Sequence, residues 1–189
     1  MTSECQGPAL GIVELSSIAR GVRVADAMAK RAPMRILQTH PISPGKHIII
    51  VAGGVAEVDE AMTIAIEVAD KALVDRLFLP QAHESLAPLI AGTAAGRPAE
   101  LDSVAIIETQ TVCSTVLAAD AAAKAAAVTL IDLRLAVGIG GKGFFTMSGP
   151  LEDIEAATEA ARSAIADGLL VGTEIIPAPH EDFRSKLLW

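Results

Sequence analysis

Pro41-Ile42-Ser43-Pro44-Gly45-Lys46 is a Pro/Gly loop that runs at once into the apolar stretch His47-Ile48-Ile49-Ile50-Val51. Two prolines fix their own backbone angles and restrict the residues before them, so the loop is stiff as well as tight. A relative of it returns later. Ala136-Val137-Gly138-Ile139-Gly140-Gly141-Lys142 leads into Gly143-Phe144-Phe145-Thr146-Met147, again a small-residue loop that ends in Gly-Lys and feeds a strand-like run.

Upstream of the first loop, Ala9-Leu10-Gly11-Ile12-Val13-Glu14-Leu15 reads as a buried strand, bounded by Pro8 and by Ser16-Ser17. Residues 1–8 are polar and read as a tail. Val22, Ala25, Met28, Ala29 and Ala32 recur at three- and four-residue spacing, which predicts a helix over 21–32 closed by Pro33. Residues 34–39 make a second strand and 46–51 a third, ended by Gly53-Gly54. Val55, Val58, Met62, Ala65, Ile66 and Ala69 mark a longer helix, with Asp59 and Glu60 near its positive end. Residues 73–79 form a fourth strand and 80–90 a short terminal helix. This order, strand-helix-strand-strand-helix-strand, predicts an α+β (α/β) ferredoxin-like sandwich over 9–90.

Ala91-Gly92-Thr93-Ala94-Ala95-Gly96-Arg97-Pro98 is small and featureless, so 91–102 reads as a linker. After it the pattern starts again over 103–189. Glu14 and Glu108 lie 94 positions apart, as do Ala25-Asp26-Ala27 and Ala119-Asp120-Ala121, and Lys30 and Lys124. The offset becomes 96 after the loop, for Lys46 and Lys142 and for Gly53 and Gly149. It is 97 near the end, where Pro80, His83 and Glu84 return as Pro177, His180 and Glu181. Drift confined to loops, with strands and helices kept in register, is the mark of a duplicated domain.

Composition excludes several classes of function. Only 3% of residues are aromatic, there is no Tyr, and the net charge is -8 with 15 scattered basic residues, so a nucleic-acid interface or an anionic membrane surface is not supported. No apolar run approaches the roughly 20 residues that span a bilayer, and the first residues lack the pattern of a signal peptide; a cytosolic protein is expected. Cys5 and Cys113 stand in no metal-ligand spacing and read as reduced thiols. Gly140-Gly141-Lys142 suggests a phosphate loop, but it precedes a strand and lacks the Walker spacing. No nucleophile–base pair or paired-carboxylate site is visible, so no enzyme is expected.

Gly11-Ile12-Val13-Glu14, Ala25-Asp26-Ala27-Met28-Ala29-Lys30, Ser43-Pro44-Gly45-Lys46 and their echoes, with Pro-x-x-His-Glu closing each half, resemble the tandem-domain shell proteins of bacterial microcompartments (BMC). The element order is similar to the unpermuted, trimeric branch found in propanediol-utilising compartments. The resemblance implies a homotrimer forming a pseudo-hexagonal tile, packed with other shell proteins (hexamers and pentamers) around encapsulated enzymes in the bacterial cytoplasm. It implies a small axial pore for small polar metabolites, lined by Ser43, Pro44 and Gly45 from the first domain and Ile139, Gly140 and Gly141 from the second. Lys30 and Lys124 fall where the family has its tile-edge lysine. His83 and His180 fall at the histidine of its Pro-Arg-Pro-His edge motif, with Gln81 and Ala178 in place of the arginine. Near relatives carry a pore cysteine that holds an iron–sulfur cluster on the axis. Ser43 stands there, and a hydroxyl is a poor iron ligand, so no cluster and no other cofactor or metal is expected. The rival readings are a cluster-bearing electron conduit and a ligand-binding sensor or enzyme built on the same duplicated units. His40 and His47 flank the loop, and the sequence assigns His47 no role.

Overall fold

The computed structural model describes residues 8–93 and 102–184. Cys5, the tail up to residue 7 and most of the expected linker lie outside them. The chain divides into two compact units, Met1–Gly92 and Thr93–Trp189.

The first unit runs β1 (Ala9–Leu15), α1 (Ile18–Arg31), β2 (Arg35–Ile42), β3 (Lys46–Gly53), α2 (Val55–Ala69), a 3-10 turn (Asp70–Ala72), β4 (Leu73–Leu79) and α3 (Leu86–Ile90). Its antiparallel sheet has the order β2-β3-β1-β4. Val13, Leu15, Ile49 and Val51 face the two long helices and join Val24, Met28, Val58 and Met62 in one core. Each such side chain contributes about 1.5–3 kcal/mol when fully buried. Leu10, Ile12, Ile48 and Ile50, which alternate with them, are buried as well. Apart from Glu14 in β1 and Lys46-His47 at the start of β3, the central strands therefore read as apolar runs, without the alternation of a half-exposed sheet.

The second unit repeats this as β5 (Ser103–Thr109), α4 (Val112–Ala125), β6 (Thr129–Leu135), β7 (Gly143–Gly149), α5 (Leu151–Ala164), β8 (Leu170–Pro177) and α6 (Glu181–Arg184), with sheet order β6-β7-β5-β8. The sequence offsets return as strand registers. Ala9 pairs with Gly53 and Ser103 with Gly149; Leu10 pairs with Leu79 and Val104 with Ile176. Even the irregularities repeat, at Glu14/Leu15 and Glu108/Thr109 and again at Ile36/Gln38 and Leu130/Asp132. Ser17 caps α1 by accepting from the Arg20 amide, and Thr111 caps α4 by accepting from the Ser114 amide.

Two expectations need correction. The helix expected over 21–32 begins at Ile18 because Ser17 is its cap, and its buried face is Gly21, Val24, Ala25 and Met28. Val22, read as part of that face, is 60% exposed. The terminal helix expected over 80–90 is only Leu86–Ile90; the chain before it turns, held by the Ala82 amide donating to the Pro8 carbonyl at 2.7 Å.

The two units solve one packing problem in opposite ways. A Cβ at Gly21 would run into the His47 ring, and a Cβ at Gly143 would run into the Thr115 hydroxyl. These are equivalent pairs: the first unit places the large residue on the strand, the second on the helix.

Candidate functional site

The loop between β2 and β3 is three residues long, Ser43 to Gly45, and tight. The Gly45 amide donates to the Ile42 carbonyl at 2.9 Å, the Ser43–Pro44 peptide is cis, and Gly45 has φ 99, a conformation that disfavours any residue with a Cβ. Ser43 is half-buried, while Pro44 and Gly45 are exposed. The equivalent loop between β6 and β7 turns through Ala136, Gly138, Gly140 and Gly141, all at positive φ. Ile139 there is half-buried, Gly140 exposed and Gly141 buried. The structure thus places all six sequence-selected loop residues at equivalent hairpin turns of the two units.

Each loop ends in a lysine that the sheet holds. Lys46 Nζ lies 3.1 Å from Glu14 Oε2, and Lys142 Nζ lies 2.7 Å from Glu108 Oε1. The Glu14 side chain has no exposed surface, whereas Glu108 is 39% exposed. A buried carboxylate needs a paired cation to offset its desolvation, and Lys46 is that cation. Sequence reasoning used Glu14 and Glu108 only as markers of the repeat. The available signal was a lone acid inside each apolar strand, at the same place in both copies as the loop lysine.

His47 is also built into the first loop's base. It is 3% exposed, its Nε2 is 2.9 Å from Thr39 Oγ1, and its buried Nδ1 has no hydrogen-bond partner. Burial first, and then the charge of His40, push its pKa below the ordinary 6.5. A neutral ring can satisfy its one N–H at this site; an imidazolium carries two and meets one acceptor.

The candidate edge residues lie apart from the loops in sequence and on other elements. Lys30 bonds Asp26 at 2.6 Å and Lys124 bonds Asp120 at 2.5 Å, both one helical turn back. Lys30 is 74% exposed. His83 Nδ1 accepts the Ser85 amide and lies 2.8 Å from the Ser85 hydroxyl; His180 Nδ1 accepts the Asp182 amide at 3.2 Å. Both rings therefore shape the turn that opens α3 or α6. His83 also lines a recess of about 540 Å³ with Leu10, Arg35 and Ala52. Gln81 and Ala178 are exposed, and Ala178 has φ 45. Among the described residues no helix is long and apolar enough to cross a membrane.

Two equivalent sandwiches with lysine-anchored hairpins define a class, and comparison with known proteins identifies it. The BMC domain matches residues 9–82 and 103–179, so the chain belongs to the BMC-domain family and carries two copies in tandem. It is 41% identical over 181 residues to the bacterial microcompartment shell protein PduT of Citrobacter freundii, covering 95% of this chain and 97% of that one. It matches the crystal structure of a microcompartment protein from Desulfitobacterium hafniense DCB with a TM-score of 0.86 and 35% identity, over 94% of this chain and 98% of that one. The fused permuted hexameric shell protein MSM0275 of the RMM microcompartment shares the fold, with a TM-score of 0.59 and 18% identity over 82% and 80% of the two chains. The chain is a structural protein of the microcompartment-shell class, as its repeated motifs led one to expect.

Proposed function

We propose that three copies of this chain close into a pseudo-hexagonal shell tile, with Ser43, Pro44 and Gly45 and Ile139, Gly140 and Gly141 edging a small axial opening for small polar metabolites. Tiles meet other shell proteins along edges that include Lys30, Lys124, Gln81, His83, Ala178 and His180, and enclose enzymes without catalysing a reaction themselves. The observation that carries this reading is the match of both units to the BMC domain, with the same registers, the same bulges and the same lysine-ended hairpin twice. A closed ring needs small, rigid residues beside its axis, and these loops supply them. Association has support from the helices. Ile18 and Val22 of α1 are 42% and 60% exposed, while their counterparts Val112 and Val116 are fully buried. The tile carries no iron–sulfur cluster: the loop position before Pro-Gly-Lys is Ser43, and among the described residues the cysteine, Cys113, is on α4 and outside both loops.

Size-exclusion chromatography with light scattering, followed by cryo-electron microscopy, tests the proposal. The expected result is a three-chain ring with residues 43–45 and 139–141 at its centre. A stable monomer, or a ring with those residues on its outer rim, would end it.

A further inference from the structure

The geometry points to Glu14 and Glu108 as positioning residues that keep the pore edge uncharged, a role that rests on the loops lying at the axis as proposed above. Between Arg35 and Glu57 the only Lys, Arg, Asp or Glu is Lys46, and between Arg134 and Glu152 the only one is Lys142. Each loop therefore carries one full charge, on the lysine that ends it.

The strand registers say where that charge goes. Glu14 stands opposite Ile48, two residues beyond Lys46 along β3, and Glu108 stands opposite Phe144, two residues beyond Lys142 along β7. Pairing at 3.1 Å and 2.7 Å draws each ammonium back over the sheet, away from residues 43–45 and 139–141. The Lys46 side chain is 21% exposed as a result, an unusual state for a lysine beside an exposed turn. Ser43 hydroxyls and backbone amides and carbonyls remain at the edge.

In the tile, six lysines would otherwise form a ring of positive charge, and such rings are how pores select anions. A charge within a Debye length of the axis, about 8 Å at physiological ionic strength, acts on a passing ion; a paired one largely does not. The glutamates thus set the specificity of the opening, favouring uncharged polar molecules over ions of either sign. The arrangement occurs in both copies although the helix-facing side of the sheet is packed differently beneath it, by His47 against Gly21 in one and by Gly143 against Thr115 in the other.

The test uses the full-length protein, Glu14→Gln/Glu108→Gln and Glu108→Gln alone. Glu108 is part-exposed, so its single variant keeps its fold even if the double does not. Crystals of the assembled tile are soaked in sodium bromide and the halide located by anomalous scattering. Ion selectivity is read as a reversal potential across planar bilayers holding the assembled protein. The native tile is expected to hold no bromide at either lysine and to be weakly selective. The variants are expected to show Lys142, or both lysines, turned toward the opening with bromide beside them, and a severalfold rise in anion-to-cation permeability. Lysines that stay folded back in the variants, with unchanged selectivity, overturn the inference while leaving the tile intact. So does bromide bound at the lysines of the native tile. Loops found away from the symmetry axis overturn the tile itself.

Discussion

Lys46→Met and Lys142→Met remove equivalent lysines, yet their costs should differ widely. Lys46 is paired with a carboxylate that has no exposed surface. Breaking such a pair from one side strands a buried charge and costs about 3–5 kcal/mol. Glu14 has a further interaction besides Lys46, which places the expected cost at the lower end, ~3 kcal/mol. Lys142 and Glu108 are 41% and 39% exposed, so water takes over what the partner loses and the cost is about 0–1 kcal/mol. Hydrogen–deuterium exchange read by mass spectrometry separates the two units within the intact chain. For Lys46→Met, ~3 kcal/mol corresponds to a fall of roughly two orders of magnitude in the protection of β1 and β3 amides. The protection of β5 and β7 amides in Lys142→Met should fall less than about tenfold. Adding Glu14→Gln to Lys46→Met should recover much of the loss, because the stranded charge goes with it. Equal costs in the two units, or no recovery in the double variant, would refute the account of Glu14 as a buried charge held by Lys46.

Acid should weaken the first unit selectively. The folded-state pKa of His47 lies below its unfolded value, so the stabilisation belongs to the neutral ring: it is complete above about 6.5 and drains away as pH falls toward the folded value. Thermal midpoints and β2–β3 exchange at pH 7.5 and 5.5 would show it. The variant Gly21→Thr/His47→Gly, which transplants the second unit's packing, should flatten the dependence. Gly21→Ala alone forces a methyl into the His47 ring and should cost about 1–3 kcal/mol by denaturant titration. Val22→Glu, at a 60% exposed position, should leave the melting temperature within a few degrees of native while lowering the mass seen by light scattering; an unchanged assembly would take α1 out of the interface. Ser43→Cys places three thiols around the proposed axis, and anaerobic reconstitution with iron and sulfide should then give a visible absorbance band that the native protein lacks.

Duplication and the order of elements were legible in the chain because they rest on local facts: apolar periodicity, Gly and Pro punctuation, and offsets that drift only in loops; the family was legible through the resemblance of the repeated motifs to those of BMC shell proteins. The faces of α1 were not. Val22 and Val24 are equally apolar, and only the start of the helix at the Ser17 cap, with Gly21 turned to His47, decides which of them meets the sheet. His47 was undecidable for the same reason, since a strand residue faces one side or the other according to a register set by its neighbours. The partnership of each loop lysine with a glutamate of the first strand of its unit also belongs to the tertiary structure. Thirty-odd residues separate Lys46 from Glu14, and only the β1–β3 ladder brings them within 3.1 Å. Sequence determines the elements and their repetition because those depend on near neighbours; burial, charge pairing and the pKa of a ring depend on what the folded sheet sets beside them.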